Sequence, residues 1–522
     1  MNALSITLIV LITILFGLLY LSQYKFNYWK HKKVPYVRPV PLLGNYGGYI
    51  TLKEFWGTMV HKLCQKFPNA PYFGAYYGTE PTLIVKDPEL IKLVMTKDFY
   101  YFHGREITNY CKRESTTQNV FFNGGDQWKV VRQNMTPLFS STKLKNMFYL
   151  VEKCAKQLET LLDTIVQKNG GETDARILAA RFTMNSIGST VFGVDTRTLE
   201  EPAVNNPFTA IGNVLFSTSP ERGLKWVFRA VWPAIFYGTG FRVFPNSVDN
   251  FFNDLVVNVF KSRGYKPSGR NDFIDLLLNF KEHKFLTGES ITNLKDGGNR
   301  TVEVELTDDL LVSQCATMFA AGYETSATTQ GFTLYELAKQ PEAQSRAHAE
   351  IDKFFERHNN VLTYDCTTEM PFLDACVDET IRLYPLLPVL TREVIDDYTF
   401  PTGLTVDKGV RVHIPVWHLH RHPDFFPEPE LYKPERFLPE NKQNIKPYTY
   451  IPFGEGPRIC LGKRYGKMQV LVGLMTFLKN YRVELADGMP LNTDFEPINF
   501  VTQPKQGVKL RFIPRDRNQQ QN

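Results

Sequence analysis

The most informative segment of this sequence is Phe453-Gly-Glu-Gly-Pro-Arg-Ile-Cys-Leu-Gly462. The glycines at 454 and 456 carry no side chain, so the backbone there can turn tightly and approach a flat ligand closely. Backbone amides of such a loop, together with the N-terminus of the helix that follows, favour the thiolate of Cys460. Arg458 places a cation two residues from that sulfur, where it can bind a carboxylate of the same ligand. The pattern predicts a cysteine ligand to the metal of a flat cofactor.

Composition limits the remaining possibilities. The chain has 522 residues, of which 43% are hydrophobic and 22% charged, as in ordinary globular proteins. Its net charge of +6 is small, and no dense Lys/Arg tract is present, which excludes a nucleic-acid-binding protein. Seven scattered cysteines, none closer than ten residues to the next, exclude CxxC zinc motifs and favour a reducing compartment.

The N-terminus has the features of a membrane anchor. Ala3–Leu21 contains nineteen uncharged residues, enough to span a bilayer at about 1.5 Å per residue. A small-residue cleavage site such as AxA is absent. Four lysines follow the span: Lys25, Lys30, Lys32 and Lys33. The positive-inside rule then leaves the rest of the chain in the cytosol. We therefore predict a transmembrane signal anchor at residues 1–24 and a basic, proline-rich linker at 25–45.

The patterns beyond the linker predict a mainly α fold with a smaller β portion. A strand-like run occurs at 82–85, and mostly helical patterns extend from 126 to 350. A polar, glycine-containing segment at 287–305 interrupts them and predicts a surface excursion. Short β-like runs return at 393–415, and another helical run starts near Cys460.

The longest predicted helix begins near Thr307 or Asp308, either of which can accept the free amides of a first turn. It runs past Leu334 with apolar positions on all sides, so it should be buried. A helix of this length would be about 45 Å long and would cross the whole body.

The Cys460 segment resembles the cysteine-ligand loop of the cytochrome P-450 family, FxxGxRxCxG, and three further matches stand in the family's order. The resemblance covers nearly the whole chain after the anchor. It implies a cytochrome P-450 fold with a long central helix over haem b (iron protoporphyrin IX), formed by a haem-thiolate catalytic domain at 46–522. Cys460 would be the axial ligand of the haem iron, and Phe453, Gly454 and Gly462 would contact the cofactor.

The first further match is Glu379-Thr-Ile-Arg382. Its i, i+3 spacing places both side chains on one helical face, where they can pair. Alone, this pattern is more typical of a solvated surface pair. The resemblance implies that Arg436, within Pro434-Glu-Arg436-Phe437, joins Glu379 and Arg382 in a buried structural network behind the haem.

The second match is Trp128-Lys-Val-Val-Arg132. Positions i and i+4 share a face, so the indole N–H and the guanidinium can reach one carboxylate. The start of an ordinary amphipathic helix is the alternative. The resemblance makes Trp128 and Arg132 partners of a haem propionate, together with Arg458. Arg392 fits a further propionate arginine of the family. Arg105 departs from the pattern, because Gly104 stands where many relatives have an acid.

The third match is Ala321-Gly-Tyr-Glu-Thr325 on the long helix. Gly322 allows a ligand to lie against the helix, and a buried carboxylate or hydroxyl is costly unless it is bonded or used. A hydroxyl bond from Thr325 back to the i−4 carbonyl is the alternative to a catalytic role. The resemblance implies that Thr325 steadies iron-bound dioxygen while Glu324 relays protons. Both residues favour a monooxygenase.

The thiolate also indicates the reaction, since electron donation from an anionic sulfur favours cleavage of the O–O bond and insertion of oxygen into C–H bonds. The sequence has no GxGxxG after a strand and no room for flavin and nicotinamide domains. Electrons should therefore come from NADPH through a separate membrane-bound flavin reductase, with cytochrome b5 as a further partner. Four cations are candidates for docking, with a merely solvated face as the alternative: Lys129, Lys463, Arg464 and Lys467.

The resemblance implies an apolar pocket lined by Phe121, Phe122, 319–321, 388–390 and Thr502, which suits a lipophilic small molecule. Details of the sequence look similar to insect microsomal members that oxidise plant toxins and insecticides, and hormones or fatty acids remain open as substrates. The expected location is the endoplasmic reticulum membrane, with the catalytic domain on the cytosolic side.

Two other functions are compatible with a haem-thiolate loop. A haem-thiolate isomerase or dehydratase would need no reductase, and a non-catalytic haem sensor would bind haem without turning over any lipophilic compound. Dependence on NADPH separates the first from a monooxygenase. The absorption spectrum of the reduced, CO-bound protein reports the thiolate in every case.

Overall fold

The computed structural model describes residues 3–201, 206–216, 218–270, 272–281, 283–499 and 501–516. Helices predominate and strands form a smaller part, as predicted. The α-helices are α1 Ala3–Lys25, α2 Tyr28–His31, α3 Gly47–Ile50, α4 Trp56–Gln65, α5 Pro88–Lys92, α6 Gly125–Met135, α7 Ser141–Asn169, α8 Ala175–Ile187, α9 Pro207–Leu215, α10 Pro220–Val231, α11 Pro233–Gly238, α12 Asn246–Ser262, α13 Phe273–Lys281, α14 Asn293–Asp296, α15 Asp308–Lys339, α16 Pro341–Arg357, α17 Pro371–Leu383, α18 Val416–Leu419, α19 Pro439–Lys442 and α20 Lys463–Asn480.

The strands form one four-stranded sheet, one three-stranded sheet and two hairpins within the described ranges. They are β1 Tyr72–Tyr77, β2 Glu80–Val85, β3 Glu172–Asp174, β4 Phe285–Glu289, β5 Thr301–Glu305, β6 Leu390–Glu393, β7 Tyr398–Thr399, β8 Thr405–Val406, β9 Arg411–Ile414, β10 Tyr481–Leu485 and β11 Lys509–Pro514. The larger sheet has the order β1-β2-β9-β6, with β2 and β9 parallel and the other pairs antiparallel. Its edge strand β6 places Arg392 opposite Val412.

The longest helix, α15, agrees with the prediction at its start and in its burial. Thr307 caps it, since the threonine side-chain oxygen accepts a hydrogen bond from the amide of Leu310 at 3.2 Å. Helix α8 packs along it, and the hydroxyl of Thr183 donates to the carbonyl of Tyr323 at 2.9 Å. Because α15 is buried on most sides, its middle segment is held firmly where the functional residues lie.

At the N-terminus, α1 begins at Ala3, and the first two residues of the predicted anchor lie outside the described part of the chain. A search of the described residues finds no helix that combines the length and apolar character needed to cross a membrane. The predicted linker packs against the larger sheet through Trp29. The fully buried Trp29 donates its indole N–H to the carbonyl of Ala75 at 2.9 Å, and a side chain at Gly74 would overlap the Trp29 ring.

The polar excursion predicted at 287–305 folds as the antiparallel hairpin of β4 and β5. It is braced against α6, because Asp126 accepts hydrogen bonds from the amide of Ile291 (2.6 Å) and the hydroxyl of Ser290 (2.9 Å). Lys129 is buried beneath the hairpin, where it pairs with Glu289 at 3.0 Å. The prediction of Lys129 as an exposed docking cation is therefore wrong, since a segment distant in sequence covers it.

Candidate functional site

The Cys460 loop makes the tight turns that its glycines predict. Gly454 and Gly456 both have φ of +70°, a conformation that favours glycine. A side chain at Gly456 would also overlap the backbone carbonyl of Met95, so only glycine fits there. The amide of Cys460 donates to the carbonyl of Phe453 at 2.8 Å, which closes the loop just before α20 begins.

Cys460 is exposed to an internal cavity and not to the outer surface of the protein. Protein atoms surround its sulfur. Burial raises the pKa of the Cys460 thiol, and the Gly462 amide with the charges of Arg132 and Lys463 offsets this only in part. The Gly462 amide of the loop favours the thiolate, as expected from the sequence, but burial outweighs it. A metal cation bound to the sulfur would supply the remaining stabilisation, because coordinated thiols are deprotonated.

The cavity has a volume of about 350 Å³ and lies between α15 and the Cys460 loop. Ten of the residues predicted from the sequence line it: Arg105, Trp128, Arg132, Thr325, Arg392, Phe453, Gly454, Arg458, Cys460 and Gly462. They come from distant parts of the chain and from helix, strand and loop. The fold therefore brings the predicted set together around one space.

Four arginines of this set have no carboxylate partner among the described residues. Arg458 donates to the carbonyl of His103 at 2.9 Å, Arg132 to that of Ile459 at 2.8 Å and Arg392 to that of Thr391 at 2.8 Å. The Nε atoms of Arg105 and Arg392 are buried without any hydrogen-bond partner within the described ranges. Buried cations and donors without an acceptor are costly, and a ligand that carries anionic oxygens would satisfy them.

The electrostatics of the cluster lead to the same conclusion. Burial lowers the pKa of Arg458 well below its usual value, and the nearby charges of Arg105, Arg392 and Arg132 lower it further. Burial also lowers the pKa of Arg392 to about 9 and that of Arg105 to about 10. These guanidiniums repel one another, so a ligand with more than one negative charge would stabilise the cluster. A haem with two propionates and a flat apolar ring fits such a set of donors beside a cysteine sulfur.

Trp128 completes this side of the cavity. It is buried on α6, with the guanidinium carbon of Arg458 4.4 Å from the centroid of its ring. The hairpin of β4 and β5 holds α6 on the opposite side through Asp126 and Lys129. The position of Trp128 and Arg132 therefore depends on a brace that the sequence pattern did not reveal.

On α15, Gly322 and Thr325 line the cavity. A side chain at Gly322 would overlap Ile187, so the helix approaches its neighbour closely at this point. The hydroxyl of Thr325 donates to the carbonyl of Ala321 at 2.5 Å, which is the i−4 bond considered above as the alternative to a catalytic role. A hydroxyl that donates one bond still has lone pairs to accept another, so Thr325 can serve both roles.

Glu324 does not line the cavity, and in this respect the predicted Glu324–Thr325 pair differs from the structure. Consecutive helical residues point roughly 100° apart, so Glu324 turns toward α8 instead. There its carboxylate pairs with Arg176 at 2.8 Å and accepts a hydrogen bond from the side chain of Gln503 at 2.5 Å. The direct contact with the cavity that a proton relay would use is absent in this conformation.

Behind the Cys460 loop, the Glu379–Arg382 pair is fully buried. Arg382 donates to both carboxylate oxygens of Glu379, at 2.7 and 2.8 Å. Arg436 lies 3.4 Å from the same carboxylate, and the amide of Lys433 donates to it at 2.7 Å. The three residues predicted as a structural network are therefore in contact. Glu379 and Arg382 are buried, whereas the alternative interpretation required a pair on the protein surface.

Several wall residues differ from those predicted. Phe319 packs into the core, Leu386 and Leu387 line the cavity instead of Pro388, and Val501 does so instead of Thr502. Asn119 was missed, although its side-chain oxygen accepts the amides of Phe121 (2.9 Å) and Phe122 (3.1 Å) and so shapes the wall. An asparagine two residues before an aromatic pair is a local turn signal that could have indicated it.

Among the described residues, a cysteine sulfur faces an apolar cavity beside four arginines that have no carboxylate partner, an arrangement that fits a haem-thiolate protein. The sequence model described as Cytochrome P450 matches residues 34–511, and the chain belongs to this family. Among similar proteins, Cytochrome P450 6B2 of Helicoverpa armigera is 34% identical over 94% of both chains. Cytochrome P450 6B1 of Papilio polyxenes is 34% identical over 97% of this chain and 99% of its own. Cytochrome P450 6k1 of Blattella germanica is 33% identical over 98% and 97%.

The protein is accordingly a monooxygenase that uses haem b and O2, with electrons from NADPH through a reductase. Family membership supports this activity rather than the isomerase or the haem-sensor alternative. Haem held by a thiolate supplies the activation of O2 and the transfer of one oxygen atom to a C–H bond. The described residues around the cavity offer a cysteine sulfur, arginine cations and apolar walls to such a cofactor.

Proposed function

We propose that this monooxygenase oxidises lipophilic xenobiotics, such as plant toxins or insecticides, in the endoplasmic reticulum membrane. The observation that carries the proposal is the chemistry of the cavity wall beyond the cofactor residues. Six phenylalanines and one tryptophan contribute to it: Phe121, Phe122, Phe139, Phe216, Phe244, Phe273 and Trp226. Aromatic walls bind flat or bulky apolar compounds and place few directional demands on them, which suits a varied set of substrates.

Each cavity residue has a proposed role. Cys460 ligates the iron, while Trp128, Arg132, Arg392, Arg458 and Arg105 hold the propionates, with Phe453, Gly454 and Gly462 against the porphyrin. Thr325 offers a hydroxyl at which a proton can be held close to bound O2. Glu324 serves as the more distant acid. Its carboxylate is buried beside Arg176, and rotation of the side chain brings this charge toward the cavity.

The proposed location rests on the N-terminal segment. Residues 1–24 form the membrane anchor in this proposal, supported by their uncharged sequence and by the lysines from Lys25 onward. The catalytic domain then faces the cytosol, where the reductase and cytochrome b5 reach it. Lys463 and Arg464 are exposed at the start of α20, next to the Cys460 loop, and are the cations proposed to receive an acidic partner.

A direct test expresses the full chain in microsomes together with an NADPH-dependent flavin reductase. We expect the reduced, CO-bound protein to show the absorption band of a thiolate-ligated haem, and we expect NADPH-dependent oxidation of at least some compounds in a panel of lipophilic toxins, insecticides, steroids and fatty acids. Cys460→Ser is the matched control and should lose both signals. Normal haem spectra with no turnover of any compound would contradict the proposed substrate class.

A further inference from the structure

A second, separate cation lies behind the aromatic wall of the cavity. Arg229, on α10, is 2% exposed. Its guanidinium carbon lies 4.1 Å from the centroid of the Trp226 ring and 5.0 Å from that of Phe122. Both rings line the cavity, whereas Arg229 does not. One layer of aromatic side chains therefore separates a buried positive charge from the space where substrates bind.

The hydrogen-bonding capacity of Arg229 is largely unused. Within the described ranges, its Nε and Nη1 atoms are buried and have no hydrogen-bond partner. Arg222, the other buried arginine of α10, differs in this respect, because it donates to the carbonyl of Leu215. The unpartnered Nε and Nη1 atoms lie on opposite edges of the guanidinium, so each can donate one hydrogen bond to an oxygen of an anion.

Glu114, an acid that shares Tyr237 as a neighbour with Arg229, is already engaged elsewhere. Glu114 is buried, and its two oxygens accept hydrogen bonds from the amide of Phe244 (2.7 Å) and the hydroxyl of Tyr237 (3.2 Å). Tyr237 is hydrogen-bonded to the side chains of both Glu114 and Arg229, yet no ion pair joins these two side chains among the described residues. Glu114 therefore balances the charge of Arg229 through space but does not occupy its donors.

The layer that covers Arg229 is suited to local movement. Phe122 lies in an irregular segment between two helices, where its amide is held by a single bond to the side chain of Asn119 at 3.1 Å. The rings of Phe122 and Trp226 make cation–π contact with the guanidinium, an interaction weaker than a charge-assisted hydrogen bond to a carboxylate. Rotation of one ring would expose the free donors to the cavity.

We propose that Arg229 is a specificity-determining residue that binds the carboxylate of amphipathic substrates. In such a complex the apolar chain lies along the aromatic wall and the acid end reaches past Phe122 or Trp226 to the guanidinium. This inference rests on the proposed function and narrows its substrate class to include lipophilic acids with a long apolar chain. It concerns binding at the wall and leaves the oxygen chemistry at Cys460 unchanged.

The test is a spectral titration of the haem-loaded full-length protein with dodecanoic acid and with its methyl ester, which differ only in the charged end. We expect the wild type to bind the acid more tightly than the ester. In Arg229→Met, the Kd for the acid should rise at least tenfold while the Kd for the ester stays within twofold. The control, Lys225→Met, removes an exposed cation of the same helix that pairs with Glu221 at 2.7 Å, and should change neither Kd.

A second variant keeps the proposal testable if Arg229→Met does not fold. Phe122→Ala thins the covering layer, so it should tighten binding of the acid at least threefold without tightening that of the ester. Equal effects on both ligands in either variant, or no preference for the acid in the wild type, would overturn the role of Arg229. A wild type that gives no spectral response to the neutral ester would instead count against the proposed lipophilic substrate class.

Discussion

Arg382, behind the Cys460 loop, and Arg392, beside the cavity, are buried to the same degree but have different partners. Arg382 is 0% exposed and bonds both oxygens of Glu379, whereas Arg392 is 1% exposed and its side chain, among the described residues, bonds a backbone carbonyl. We call Glu379, Arg382 and Arg436 the complete cluster, because Glu379 supplies its counter-charge within the protein. The cavity arginines, which have no carboxylate partner among the described residues, are the incomplete cluster. We expect the first cluster to act on the fold and the second to act on the binding of an anionic ligand.

The largest effect is expected from breaking the complete cluster. Glu379→Ala leaves the guanidinium of Arg382 buried without its counter-ion, which should lower the free energy of unfolding by about 3–5 kcal/mol. We expect the variant to lose the haem-containing fold and not merely turnover. Haem content and urea unfolding of the purified protein measure this.

The matched control for this prediction is Glu435→Ala, which removes an exposed partner of Arg346. Exposed ion pairs contribute about 0–1 kcal/mol, so this variant should keep its haem and its stability. A Glu379→Ala protein with normal haem content would show that the network is dispensable.

The incomplete cluster should respond in the opposite sense. Arg392→Met removes a buried cation that has no anionic partner among the described residues, so the haem-free protein should be as stable as the wild type or more stable. The haem-loaded protein loses a charge-assisted hydrogen bond worth about 1.5–3 kcal/mol. Haem transfer to an excess of apomyoglobin should therefore be about 10- to 100-fold faster. An unchanged rate of haem transfer would contradict the distinction between the clusters. So would a haem-free Arg392→Met protein whose unfolding free energy falls as much as that of Glu379→Ala.

The sequence predicted the parts of the site whose signals are local. The cap at Thr307 and the all-round apolar pattern located α15, and the two glycines of the Cys460 loop predicted turns that only glycine tolerates. The spacing of Trp128 and Arg132 placed both on the cavity side of α6. In these cases a few neighbouring residues determine the conformation.

The missed features depend on contacts between distant segments. Glu324 turns away from the cavity because Arg176, 148 residues earlier, binds its carboxylate. Lys129 is buried because Ser290 and Glu289, on a hairpin about 160 residues later, close over it. Periodicity and motif spacing carry no information about such pairs, and one sequence alone does not reveal them.

A pH-dependent effect is expected on the strand that carries Arg392. Burial raises the pKa of the neighbouring Glu393 to about 7, with the charge of Glu106 adding to the shift and that of Arg411 opposing it. The folded protein therefore holds a proton there that the unfolded chain releases near pH 4.3. This contribution to stability is fully present below about pH 4.3 and is lost as the pH rises through 7.

Glu393→Gln mimics the protonated side chain and should remove that dependence. Between pH 5 and pH 8 the wild type should lose about 2 kcal/mol more of its unfolding free energy than the variant does. Urea unfolding of both proteins at the two pH values measures the difference. Parallel pH profiles would indicate that Glu393 titrates normally, and a buried carboxyl beside the cavity arginines would then need another source of stabilisation.

The smallest effect on stability is expected from the surface cations near the Cys460 loop. They extend the comparison from buried arginines to exposed charges. Of the four predicted docking cations, Lys129 is buried, and Lys467 pairs with Asp374 at 2.7 Å and Asp378 at 3.0 Å.

Lys463 and Arg464 remain exposed. Reversing both charges should change the unfolding free energy by less than about 0.5 kcal/mol, because exposed charges act mainly on association rates. The rate of the first electron transfer from the reductase should fall severalfold at low salt, and the difference should shrink at high salt, where screening removes the attraction. Lys53→Glu combined with Lys66→Glu, at exposed positions on either side of α4, changes the net charge by the same amount and is the control for net charge alone. An equal loss of rate in the control, or a loss that persists at high salt, would place the electron donor elsewhere on the surface.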